Sequence, residues 1–145
     1  MKKENLVYFL LDDLEIVYVG VTGNGLQRIN RHLYDKRIRF SSYVYLTFEH
    51  AIDARQFELE AIAFCWPFYN KDKCANKYLP TRKIQSYLNK ANGLVMGEIR
   101  PFYETHDKNN INKDFFHLLI GYFPKWLPED KRKKYTERWA KAFDA

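Results

Sequence analysis

Cysteine is scarce in this chain of 145 residues, which has only Cys65 and Cys74. Two thiols make no disulfide framework, and no further Cys or His pair stands beside them at zinc-finger spacing. The expectation is therefore an intracellular protein with reduced thiols and no disulfide partner, in the cytoplasm of a bacterium or a phage-infected host. No apolar run approaches the ~20 residues of a membrane span, so no membrane association is expected. Met1-Lys2-Lys3-Glu4-Asn5 carries charge without a following apolar stretch that ends in small residues. No signal peptide is expected from it. Internal repeats are missing, and so is any separate zinc-finger or helix-turn-helix signature.

What is present is aromatic and basic. Eleven Tyr, eleven Phe and three Trp lift the aromatic fraction to 17%, within 46% hydrophobic residues overall. That is the composition of a folded core, and the length suits one compact domain with or without an extension. The formal charge is +6, from 24 Lys and Arg against 18 Asp and Glu. Such a balance attracts polyanions, because each cation placed on a phosphate releases condensed counterions. Many proteins of similar charge bind no nucleic acid, so charge alone decides nothing.

Taken in order, Asn5 to Leu11 is a β-branched and aromatic run of strand length. Asp12-Asp13 signals a turn, and Glu15 to Val21 reads as a second strand that closes a hairpin. Gly20 inside that strand points to close approach by another backbone or a ligand. Leu26 to Lys36 places Leu26, Ile29 and Leu33 on one stripe, so an amphipathic helix with a basic face is expected. Ser42 to Phe48 reads as a third strand, and a helix runs from near Asp53 to about Cys65, where Pro67 stops it.

Beyond residue 72 the reading is mostly helical. A short basic helix is expected over Arg82 to Lys90, ended by Asn92-Gly93, with a short extended piece between Leu94 and Tyr103. A polar linker, an apolar helix over Phe115 to Phe123 and a charged helix over Glu129 to Phe143 follow. The fold expected is α+β: a small three-stranded antiparallel sheet flanked by helices over 1–72, with a mostly helical extension over 73–145 packed on or next to it.

Tyr8 and Tyr18 occupy corresponding places on the two hairpin strands, so both phenols can face one side of the sheet. Strand tyrosines are commonplace, and packing alone accounts for either one. Arg28 and His32 lie four apart and share one side of their helix. Glu58, Ile62, Pro67 and Asn70 then follow at spacings of four, five and three. Leu6-Val7-Tyr8, Tyr18-Val19-Gly20, Arg28, His32 and this Glu-to-Asn pattern together resemble the GIY-YIG nuclease family over about residues 5–71. The family's first triad opens with glycine, where this chain has Leu6. Glu60 points about 200° away from Glu58 on a helix, and the spacing to Pro67 and Asn70 selects Glu58.

The resemblance implies a β-β-α-β-α core and a metal-dependent DNA endonuclease whose catalytic set is Tyr8, Tyr18, Arg28, His32, Glu58 and Asn70. Glu58 would hold a single Mg²⁺ or Mn²⁺, because such an ion keeps most of its waters and needs one protein carboxylate. Arg28 would stabilise charge on the phosphate. Tyr8 would act as base or orient water, its phenol lowered in pKa by Arg28 and a cation. Tyr18 would hydrogen-bond the phosphate or the water, His32 would orient Tyr8 or relay its proton, and Asn70 would fix the local architecture. Lys36, Arg37, Arg39, Arg82, Lys83 and Lys90 are the expected phosphate contacts to DNA. One site cuts one strand, so a homodimer is expected where both strands are cut. The alternatives are a protein that keeps the fold and binds DNA without cutting, and a protein-interaction module.

Overall fold

The computed structural model describes residues 4–13, 15–70, 83–99 and 103–107. β1 (Asn5–Asp12) and β2 (Glu15–Thr22) form the expected antiparallel hairpin. Asp13, in its two-residue loop, takes φ 51°, the left-handed backbone that tight hairpins use. α1 (Gln27–Asp35) follows, then β3 (Ser42–Phe48), α2 (Ala51–Cys65) and a short 3-10 turn at Phe68–Asn70. α2 ends where Trp66 turns left-handed at φ 43°, just ahead of Pro67. The β-β-α-β-α order is present.

The sheet is larger than the three strands expected. After α3 (Lys83–Asn89) come β4 (Ala91–Glu98) and β5 (Tyr103–Asp107), and the sheet order is β2-β1-β3-β4-β5, antiparallel throughout. β4 pairs with β3 from Phe48↔Ala91 to Ser42↔Glu98. The part of the chain expected to be a mostly helical extension thus continues the sheet of the first half. Ala91-Asn92-Gly93 has little β-propensity and reads locally as a helix stop. Its strand state comes from the unpaired edge of β3 beside it. The helices expected over 115–123 and 129–143, and Arg82 and Cys74, lie outside the described residues.

β1 lies inside the sheet between β2 and β3, and side chains on its two faces enter two different cores. Val7 and Phe9, with Leu46 of β3, pack against Ala54, Phe57, Ala61 and Ile62 of α2 and Leu88 of α3. Leu6, Tyr8 and Leu10, with Tyr43 and Tyr45, pack on the other side against Ile29 of α1. The molecule is therefore layered as α2 and α3, then the sheet, then α1. Among the described residues no helix is long and apolar enough to cross a membrane.

Candidate active site

The site starts from a fault in the hairpin register. Leu10 faces Tyr18 and Leu11 faces Ile16, leaving Val17 as an extra residue in β2. This bulge keeps Tyr18 on the face that carries Tyr8 and Leu10 while Ile16 stays on the α2 face. Tyr8 itself lies opposite Gly20. A Cβ on Gly20 would overlap the Tyr8 phenol and press on the Tyr18 ring. The approach that this glycine permits is therefore made by a side chain of the neighbouring strand, where a backbone or ligand was expected.

α1 supplies the other half. Ile29 is buried against the sheet and fixes the helix roll, so Arg28 and His32, one turn apart, both turn towards the tyrosines. Tyr8 Oη and His32 Nε2 are 2.9 Å apart. Ring centroids are 6.0 Å apart for Tyr8 and Tyr18, 5.6 Å for Tyr8 and His32, and 5.0 Å for Tyr18 and His32. Arg28 presents its guanidinium to both phenols, and its charge is held above the ordinary arginine value mainly by interaction with Tyr8. Four residues from three elements thus meet at one place.

Their electrostatics differ from the expectation at Tyr8. Its side chain is 1% exposed. Burial, and then the neighbouring Tyr18, raise its pKa well above 10, outweighing the downward pull of Arg28. Burial thus favours the protonated phenol. His32 is shifted the other way, below 6.5, first by burial and then by the Arg28 charge, with Asp35 opposing. At neutral pH it is an uncharged imidazole. Arg28 is a donor only, so the Tyr8 oxygen is an acceptor towards it, and the Tyr8–His32 hydrogen bond takes its direction from the imidazole tautomer. With Nε2 as the acceptor, the phenol donates and the imidazole's own proton sits on Nδ1.

Asn70 reaches the same strand from outside. Its Oδ1 accepts from the Val19 N–H at 2.8 Å and its Nδ2 donates to the Val19 carbonyl at 2.9 Å, both in buried surroundings. β2 is an edge strand, and this amide stands where a further strand would pair. Asn70 thus fixes the residue between Tyr18 and Gly20, and its role is positional. Leu6, in the place where the resemblance has glycine, is buried on the site face beside Tyr8.

Glu58 comes from a different element. It lies on α2, the helix on the opposite side of the sheet from the tetrad, and is 3% exposed. Glu58 Oε1 accepts from Arg55 Nη1 at 3.2 Å, one turn back on the same helix. Arg55 did not emerge from the sequence reading, although Arg-x-x-Glu on a helix is a spacing that brings side chains together.

The basic residues divide in the same way. Lys36, Arg37 and Arg39 are exposed just after α1, on the tetrad side, and Arg39 stands 4.0 Å from Asp12. Lys90 belongs to the other layer, where it pairs with Asp53 of α2 at 3.2 Å and lies over the Tyr87 ring. It serves the α2–α3 junction. The side chain of Lys83 and all of Arg82 fall outside the described residues. No protein-family model, curated protein or solved structure matches this chain.

Proposed function

We propose that this protein is a metal-dependent endonuclease of GIY-YIG type that hydrolyses DNA phosphodiester bonds. The observation that carries the reading is the convergence of Tyr8, Tyr18, Arg28 and His32, with Tyr8 Oη 2.9 Å from His32 Nε2. Tyr18, Arg28 and His32 are each partly exposed and form the outer surface of this cluster. A guanidinium, a phenol O–H and an imidazole N–H side by side form a receptor for the non-bridging oxygens of a phosphodiester. Arg28 forks onto two of those oxygens. The phenol and the imidazole Nδ1–H donate to the phosphate and to the departing oxygen. Tyr8, beneath them, positions His32.

The residues present limit the metal. Among the described residues no three His, Cys, Asp or Glu side chains gather to hold one, so a multi-ligand cage does not fit. A single carboxylate fits a hydrated Mg²⁺ or Mn²⁺, and Glu58 is the carboxylate that would hold it. When bound, such an ion supplies an acidified water and neutralises developing charge. Lys36, Arg37 and Arg39 extend the cationic surface from the tetrad and would contact flanking phosphates.

Nicking of supercoiled plasmid with Mg²⁺ tests the reading. Wild type is expected to nick, Arg28→Ala and Glu58→Ala to lose nicking, and equal nicking by wild type and Glu58→Ala would sink it. One observation favours a second reading, a protein that binds DNA on this fold without cutting. Glu58 is buried, paired with Arg55 and set in the layer beyond the sheet from the tetrad. Under that reading binding persists without nicking in any divalent metal, and Glu58→Ala leaves affinity unchanged.

A further inference from the structure

α1 closes at Lys36, whose φ of 56° turns the chain out of the helix, and the return through residues 37–40 runs back towards β3. Between helix and return lies a cavity of about 330 Å³ lined by His32, Leu33, Lys36, Ile38, Arg39 and Phe40. Ile38 and Phe40 pack against the buried cluster below, so this wall is anchored to the core. Lys36 and Arg39 are exposed and put positive charge beside the apolar wall. The acidic residues nearby are Asp35, which is exposed, and Asp12, 4.0 Å from an Arg39 side chain that is 89% exposed. A pair so open to water neutralises little of the charge. His32 belongs both to this cavity and to the tetrad.

The volume lies at the small end of ligand pockets, which run from about 300 to 1,000 Å³. It suits one flat ring with an anionic group attached. A base stacked within a duplex presents only its edges in the grooves, whereas an unstacked nucleotide offers a ring face and a phosphate together. Leu33, Ile38 and Phe40 match the ring, and Lys36 and Arg39 match the phosphate.

The geometry points to this cavity as the receptor for a single unstacked nucleotide, so that the substrate is DNA with an unpaired nucleotide next to the cleaved bond. The placement of the cleaved bond rests on the nuclease reading, and the binding preference stands without it. Two duplexes of the same sequence test it, one fully paired and one carrying a single extra, unpaired 2-aminopurine. Binding is followed by anisotropy without divalent metal, and stacking by 2-aminopurine emission. The full-length wild type is expected to bind the bulged duplex about tenfold more tightly, the order of effect one stacked base supplies, and to quench its emission.

Phe40→Ala is expected to abolish both the quench and the preference. Phe40→Leu, which keeps aliphatic bulk without the ring, does the same if the alanine variant does not fold. Lys36→Gln with Arg39→Gln alters only exposed side chains and is expected to reduce the preference several-fold. Equal wild-type affinity for the two duplexes, or unquenched emission, overturns the proposal. Plasmid nicking with equal affinities keeps the nuclease and removes the pocket. A bulge preference lost in Phe40→Ala, with no nicking in Mg²⁺, keeps the pocket and removes the nuclease.

Discussion

The two faces of the sheet are built from the same strands and do opposite things with them. On the α2 face, Val7, Phe9, Leu46 and Phe57 form an aliphatic and aromatic core in which the buried charge is Glu58, held by Arg55. On the α1 face, Leu6, Leu10 and Ile29 surround polar rings, and Tyr8, Tyr18, His32 and Arg28 satisfy one another. One face carries stability, and the other spends burial on shifting protonation states. Neighbouring residues of β1 thus differ in what they contribute. Phe9 stacks edge-on against Phe57, while Tyr8 hydrogen-bonds an imidazole.

The largest effect expected is on the stabilising face. Phe57→Ala should cost about 3–5 kcal/mol of unfolding free energy, measured by denaturant titration, while leaving the His32 titration unchanged. A shifted His32 would show that the two faces are coupled. Asn70→Ala strips the clamp from Val19 and should cost about 1–3 kcal/mol for each backbone group left unpaired. It should also loosen Tyr18, detected as faster amide exchange along β2, because the clamp connects the two layers.

Effects on the tetrad face should be smaller in stability and larger in chemistry. Tyr8→Phe removes the hydrogen bond to His32 Nε2 and should change stability by no more than about 1.5 kcal/mol. The His32 pKa should rise towards its ordinary value, read by NMR titration of the ring, because a hydrogen bond to the neutral imidazole is lost. An unmoved titration would show that His32 Nε2 carries the proton instead.

The smallest expected effects are those of pH. His32 has a folded pKa below its unfolded 6.5, so its contribution is complete above 6.5 and is lost as pH falls through the folded value. Tyr8 is raised, so its contribution is complete below 10 and is lost as pH rises towards its folded value. Stability measured against pH should therefore decline at both ends. Tyr8→Phe should flatten the alkaline limb and shrink the acid limb in step with the rise in the His32 pKa.

Much of the first half was legible because its signals are local. The hairpin follows from β-branched runs around Asp12-Asp13, α1 from the Leu26, Ile29 and Leu33 stripe, and the end of α2 from Pro67. The pairing of Arg28 with His32 needed only helical spacing. β4 was obscure because Ala91, Asn92 and Gly93 form a strand only with β3 beside them. Gly97 shows the same dependence, since a Cβ there would overlap the Tyr43 ring from the adjacent strand. Arg28 next to Tyr8 pointed to a lowered phenol pKa, and the burial that reverses it is a property of the packed molecule.

By itself the sequence determined the order β-β-α-β-α, the helical turn that joins Arg28 to His32, and the interval that carries Asn70 from Glu58. Each is a matter of spacing along a helix or strand of known repeat. Only the tertiary structure decided that five strands share one sheet, that Tyr8 is buried within 2.9 Å of His32 Nε2, and that Glu58 is buried on α2 beside Arg55. Those outcomes depend on which distant surfaces exclude water from a group, and sequence spacing does not encode that.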